Sequence, residues 1–275
     1  MILSHFGLAT HPFSQVIDTH VFHKQPQHAT AFEGILQTLY QGDANIALRG
    51  PPGVGKSLFL RVIAAALSRA KAAHRPLLIA NPSIDDERLL DLLQGHLQLE
   101  IRPQNSRAVA LQRIATRLHS ENPMSPRPVI VVDDIDRMSQ STLEILRLLS
   151  VSNPTKNRPL ILIYCLGGNS NAEKELAIKE ARRDAGFQIM LEEMDLQMMS
   201  AYIALRLKKS GYNGSGLFTQ AALAAIHEFT QGNPRSVNAL AYSALLKAEE
   251  LGATRISVET LEAVSRSTNA RGPIW

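Results

Sequence analysis

Hydrophobic positions along the chain fall into two regimes. As far as Leu191, short apolar runs alternate with helical stripes. Asn45-Ile46-Ala47-Leu48, Pro76 to Asn81, Pro128 to Val132, Pro159 to Leu166 and Phe187 to Leu191 read as buried strands. Between and before them, Ala29 to Tyr40 places apolar residues at 32, 35, 36, 39 and 40, a stripe of helical period. Further helices are predicted over Leu58 to Ala70, Asp85 to Leu97, Ser106 to His119, Ser139 to Ser150 and Asn171 to Ala185. This alternation specifies an α/β fold: a five-stranded parallel sheet covered by helices on both faces, an αβα sandwich. From Asp195 onward the pattern is helical only, over Leu196 to Ser210, Thr219 to Thr230, Pro234 to Leu251 and Val258 to Ser265. The third of these opens with Gly232-Asn233-Pro234-Arg235, and proline suits a helix start. The first 28 residues show little periodicity and read as an ordered extended arm. The expected organisation is therefore an arm (1–28), an αβα domain (29–193) and a small helical lid domain (194–275), with a join near Glu192 to Asp195 too short for a flexible linker.

Between the first strand and its helix lies Gly50-Pro51-Pro52-Gly53-Val54-Gly55-Lys56-Ser57, which fits the pattern of Gly, four residues, then Gly-Lys-Ser without a mismatch. Glycines let the backbone turn N–H groups toward phosphate oxygens, and the start of the following helix, from Leu58, adds partial positive charge. Lys56 is placed to reach the β/γ-phosphates and the Ser57 hydroxyl to ligate Mg²⁺, so Mg·ATP or Mg·GTP is the expected ligand. A Gly-rich turn capping a helix is the bland alternative, and the strand before and helix after weigh against it. The run Pro128 to Val132 ends in Asp133 and Asp134. At a strand tip beside a phosphate loop, Asp133 is expected to hold Mg²⁺ and Asp134 to polarise the attacking water, with Asp136 the next candidate. The strand Pro159 to Leu166 ends in Gly167-Gly168-Asn169, where a polar residue can touch the γ-phosphate.

Composition narrows the class. With 275 residues and 45% apolar content the chain can bury a substantial core. No apolar run approaches the roughly 20 residues of a membrane span, and the N-terminus lacks a signal-peptide pattern, so a cytoplasmic protein is expected. The single cysteine, Cys165, lies within an apolar strand and reads as a small core residue without functional weight. The net charge of +4 sits with the first 187 residues. Arg61, Arg69, Lys71, Arg75, Arg102, Arg107, Arg113 and Arg117 form either a solvated helix face or a surface for nucleic acid.

These motifs, with His5-Phe6-Gly7-Leu8 and Pro12-Phe13 at the N-terminus, His28 heading the first helix and Gly232-Asn233-Pro234-Arg235-Ser236-Val237-Asn238 in the lid, resemble the AAA+ ATPases, and within them the ExeA/GspA group, over nearly the whole chain. The resemblance implies ATP as nucleotide with Mg²⁺ and an adenine lodged near the arm, hence Phe13 and His28 as nucleotide contacts beside Gly50 to Leu58. It further implies Asn169 as sensor 1, Arg235 next to Pro234 as sensor 2, and Arg182 or Arg183 as an arginine finger offered to a neighbouring subunit. A homo-oligomer, ring or filament, follows, as does a protein partner in a secretion or pilus assembly at the cell envelope. Asp134 stands where ExeA-like proteins usually have Glu, which leaves slow hydrolysis open. An Asp-Asp-Ile run also resembles replication initiators, so a DNA-associated ATPase is the first alternative and an ATP-gated adaptor the second. Long ExeA-like proteins carry a transmembrane helix and a peptidoglycan-binding domain, neither of which precedes Trp275, so an envelope role is expected to act through a partner at the inner membrane.

Overall fold

A computed structural model describes residues 2–14, 19, 22–42, 44–69, 74–100, 106–119, 127–150, 159–167 and 185–269. Its strands are β1 (Asn45–Arg49), β2 (His74–Ile79), β3 (Arg127–Val132), β4 (Ile161–Cys165) and β5 (Ala185–Met190). They pair in parallel as one sheet in the order β2-β3-β4-β1-β5. The described helices are α1 (Ile2–Phe6), α2 (Pro26–Gln41), α3 (Lys56–Arg69), α4 (Asp86–His96), α5 (Arg107–His119), α6 (Gln140–Ser150), α7 (Leu196–Lys209), α8 (Gln220–Thr230), α9 (Pro234–Glu250) and α10 (Val258–Asn269). The expected helix over 171–185 lies outside the described residues up to 184, and Ala185 opens β5 instead.

The chain divides into two compact units, one of Pro26–Pro52 and Lys56–Leu191, the other of Met1–Gln25, Gly53–Gly55 and Glu192–Trp275. In the first, Val129 to Val132 are all fully buried, as strands covered on both faces require. Register matters here more than composition. Leu48 pairs with Cys165, and Val132 with Tyr164, so the C-terminal ends of β1, β4 and β3 lie level and side by side. Because β4 lies between β1 and β3, its last residue separates the start of the phosphate loop from the carboxylates.

The second unit is built on one apolar cluster that includes Ile2, Phe6, Leu8 and Phe13 of the N-terminal segment with Met199, Ile203, Leu207, Ile226 and Leu245 of the helices. The N-terminus differs from the extended arm expected: residues 2–6 form a helical turn. Ile2 and Phe6, four apart, bury one face of it. Gly7, at φ 64°, ends the turn, and Leu8 N donates to Leu3 O at 2.8 Å. Five residues are too few for a periodic signal. A buried arginine fixes the segment that follows: Arg206, 6% exposed, donates to Pro12 O at 2.5 Å and Ser14 O at 2.8 Å, with its guanidinium over the Tyr202 ring. Among the described residues, no helix is long and apolar enough to cross a membrane.

The segment before α9 shows why its residues are what they are. Asn233 caps the helix by accepting from Arg235 N at 3.2 Å, and Pro234 fills the first turn, where a missing N–H costs nothing. Gly232 sits at φ 72°, and a Cβ there would overlap the carbonyl oxygen of Met194. Gly232→Ala should therefore destabilise the protein by about 1–3 kcal/mol from backbone strain alone, with the carbonyl clash adding to it. Urea titration measures this, and a midpoint equal to the parent's would refute the steric account.

Candidate functional site

Three glycines of the phosphate loop hold positive φ, Gly50 at 144°, Gly53 at 85° and Gly55 at 104°. L side chains rarely adopt these angles, which explains the glycine spacing read from the sequence. At Gly53, which belongs to the same unit as residues 192–275, a Cβ would approach Asn233 Oδ1 to 2.5 Å and Arg235 Cβ to 2.9 Å. Helix α3 begins at Lys56. The Lys56 side chain is buried, and its ammonium donates to Gly50 O at 2.8 Å and Pro51 O at 3.0 Å, inside the turn of the loop. One residue on, Ser57 Oγ donates to Asp133 Oδ1 at 2.9 Å. The two residues predicted to hold Mg²⁺, 76 apart in sequence, are thus in direct contact. A hydroxyl and a carboxylate so joined are oxygen donors of the kind a hard divalent cation takes, so the pair fits that ion.

The carboxylate loop carries its own strain. Asp134 has φ 45° and ψ 54°, a left-handed conformation uncommon for any residue with a side chain but several-fold enriched in Asp and Asn. Its carboxyl is pushed above the usual range, first by burial and then by the charges of Asp133 and Asp136, with Arg137 and Lys56 opposing. Arg137 lies 4.0 Å from Asp134 Oδ2.

Cys165 is the residue the sequence undervalued. Its thiol donates to Asp133 Oδ1 at 3.0 Å while its sulfur accepts from Asp134 N at 3.2 Å. Burial and the hydrogen bond to Asp133 push the thiol far up, which keeps the proton on sulfur and makes it a donor. Ligand atoms of Asp133, Asp134 and Cys165 all lie within 4.8 Å of one another. Hydropathy gave no sign of this role. Only the parallel register, one step beyond Val132 opposite Tyr164, brings Cys165 level with Asp133. Asp136 is also buried, and its Oδ1 accepts from Gly167 N at 2.6 Å.

The His28 ring packs 4.9 Å from Phe59, one turn into α3. Phe13, 2% exposed, stands edge-on to Phe218 in the core of its unit, a packing that gives its ring a structural partner. Pro234 and Arg235 form the first turn of α9, with Arg235 exposed. Val54 is buried, Leu58 half-buried and Pro52 exposed. Asn169, Arg182 and Arg183 lie outside the described residues, as do Lys71 and Arg102 of the basic set. Of that set, Arg107 is ion-paired to Asp86 at 2.5 Å and Arg113 donates to Glu100 O at 2.9 Å, so both spend charge or donors within the chain.

Residues 39–168 match the family model described as the AAA domain. The chain is 24% identical over 258 residues to the General secretion pathway protein A of Aeromonas hydrophila, across 93% of this chain and 46% of that protein, so it spans about half the length of the curated relative it matches. Among solved structures, Cdc6p of Pyrobaculum aerophilum is similar with a TM-score of 0.64 and 14% identity, covering 93% of this chain and 70% of that one. The Drosophila ORC bound to DNA gives a TM-score of 0.69 at 14% identity, over 96% and 64% of the two chains. The Thermotoga maritima RuvB Holliday junction branch migration motor gives 0.58 at 17% identity, over 90% and 70%. The fold is shared with these structures, and in this chain it is built on a five-stranded parallel sheet in the order β2-β3-β4-β1-β5.

Lys56→Ala removes the cation at the base of the loop and should abolish nucleotide binding. With Mg·ATP at a hundredfold excess over Kd, the parent should gain about 2.7 kcal/mol of stability and the variant none. Thermal-shift titration reads both, and an equal gain in the two proteins would show that Lys56 is not the phosphate cation.

Proposed function

We propose that this chain, which carries an AAA domain over residues 39–168, binds Mg·ATP and hydrolyses it to ADP and phosphate. In this reading it works as a homo-oligomer, ring or filament, whose nucleotide state switches its hold on a protein partner in a cell-envelope assembly. The observation that carries the nucleotide part is the Ser57–Asp133 contact at 2.9 Å directly after Lys56, since it joins the hydroxyl and the carboxylate that a phosphate-bound cation needs. When bound, Mg²⁺ supplies charge that neutralises the phosphate oxygens. Lys56 adds a point charge at the β/γ-phosphates, and Asp134 orients and takes a proton from the attacking water. Asn169 as sensor 1, Arg235 as sensor 2, and Phe13 and His28 at the adenine complete the assignment by resemblance. Arg182 or Arg183 acts on the neighbouring subunit's nucleotide. The envelope role is supported by the similarity to General secretion pathway protein A; in this reading the protein works in the cytoplasm, peripheral to the inner membrane through a partner.

A second reading, an ATPase that works on DNA, is favoured by the net charge of +4 and by the likeness to the Drosophila ORC, whose structure is of a complex with DNA. It predicts binding whose affinity falls linearly with salt on a log-log scale, by about 0.9 per phosphate contact on duplex DNA. Fluorescence anisotropy measures it; no binding at low salt with either ATP or ADP removes this reading and leaves the protein partner.

Asp134→Asn tests the hydrolytic assignment, because it preserves both shape and tolerance of the left-handed backbone while removing the carboxylate. The variant should bind Mg·ATP with the parent's affinity and not turn it over. Mixed with inactive Arg182→Ala/Arg183→Ala protein it should regain partial activity, because some interfaces then pair an intact arginine with an intact acid. A variant as fast as the parent excludes Asp134 as the base; a mixture that stays inactive argues against the shared site. Tight binding without turnover in the parent itself would make the protein an ATP-gated adaptor.

A further inference from the structure

Asp136 lies in the 3-10 turn Ile135–Arg137 that follows the carboxylate pair, and it is 3% exposed. Its Oδ1 accepts from the Gly167 N–H at 2.6 Å, a short bond. Gly167 is the second residue past the end of β4. A Cβ built on it would stand 3.1 and 3.2 Å from the two Asp136 oxygens and 3.3 Å from Asp134 Oδ1. One peptide unit is therefore gripped by Asp136 and, with no side chain intervening, abuts the Asp134 carboxylate. Asp134 itself holds a sparsely populated backbone conformation, which persists only where the surroundings over-determine it. Among those surroundings are the Cys165 sulfur on its N–H and the tip of β4 against its side chain.

Asp136 is poorly placed to act on water. It is buried, and its Oδ1 is already taken by a backbone donor. A charge so deep needs a partner that offsets its desolvation, and the Gly167 N–H is such a partner. The bond also joins two segments that the sheet leaves separate beyond the strand ends: the loop after β3 and the loop after β4.

We propose that Asp136 is a positioning residue for the hydrolytic carboxylate: by clamping the Gly167 N–H it closes the tip of β4 on Asp134 and fixes the direction in which that carboxylate faces. Its effect on turnover rests on the ATPase reading; the clamp itself does not. An acceptor oxygen at this place is what the clamp requires, and a negative charge is not. Asn supplies that oxygen with the same shape, and Ala supplies nothing.

The test compares Asp136→Ala, Asp136→Asn, Gly167→Ala and the Asp136→Ala/Gly167→Ala double variant with the parent, each shown to be folded by its Mg·ATP thermal shift. Amide hydrogen exchange at residue 167 reads the clamp, and steady-state kinetics with nucleotide titration read its consequence. Asp136→Ala should expose the Gly167 amide to exchange and lower kcat by about 10²-fold, the usual penalty of a misplaced group, with ATP affinity unchanged. Asp136→Asn should keep both the protection and most of the turnover. Gly167→Ala should lower kcat likewise, and the double variant should lose little more than either single one, as residues acting through one contact do. A Gly167 amide that exchanges no faster in Asp136→Ala than in the parent overturns the clamp. So does an Asp136→Asn variant as slow as Asp136→Ala, or losses that add in full. Were Asp136→Ala unfolded, Gly167→Ala would decide, with unchanged turnover overturning the proposal. A parent without turnover would sink the ATPase reading and leave the exchange comparison to judge the clamp.

Discussion

The carboxylate of Asp133 is the tie on which the site depends. A single oxygen, Oδ1, accepts from Ser57 Oγ at 2.9 Å and from Cys165 Sγ at 3.0 Å. Those donors belong to the helix launched from β1 and to the end of β4, so one atom on the tip of β3 joins pieces carried by three strands. A buried carboxylate is costly unless hydrogen-bonded, and here the bonds that offset its burial also set the distances between the loop and the acids. The strand order makes this possible. With β4 between β1 and β3, neither neighbour is close enough to bond the other's backbone, and side chains must span the gap.

Rigid strands carry strained turns. The core strand residues Ile46, Ala47, Val129 to Val132 and Ile161 are fully buried, while the segments at their C-terminal ends hold the positive φ angles at Gly50, Gly53, Gly55 and Asp134. Backbone conformations of that kind survive where packing on either side leaves no alternative. The left-handed backbone also bears on residue 134 itself. Asp and Asn tolerate this region better than longer side chains do, so the departure from Glu suits the local geometry as well as altering the reach of the carboxylate.

Much of this was legible in the sequence because each signal was local or periodic. All five strands and the phosphate loop were readable from apolar runs bounded by turn residues and from an eight-residue pattern whose glycines the structure finds at positive φ. The pairing of Ser57 with Asp133 followed from combining two such signals. What escaped notice lacked a local signal. Cys165 looks like any small core residue until the register of β4 against β3 sets it beside Asp133. Asp136 looked like a spare acid, and only the position of Gly167, 31 residues away, shows that its oxygen is already engaged. The helical turn at Ile2–Phe6 is shorter than the window over which a period can be seen.

The three carboxylates at the tip of β3 show how one short loop assigns different work to chemically identical groups. Asp133, Asp134 and Asp136 share a strongly negative neighbourhood, opposed by Lys56 and Arg137. Their partners differ. Asp133 is buried under a hydroxyl and a thiol, donors that hold it in place beside the loop. Asp136 is buried against a backbone N–H, a donor that can neither rotate away nor ionise. The side chain of Asp134 keeps 33% of its surface exposed, and burial and its two acidic neighbours drive its carboxyl upward. In the proposed reaction the group that accepts a proton needs access to water and a raised affinity for the proton, and Asp134 has both. In that proposal desolvation and like charge suit the middle carboxylate to the role of general base, while Asp133 and Asp136 flank it as buried, hydrogen-bonded neighbours.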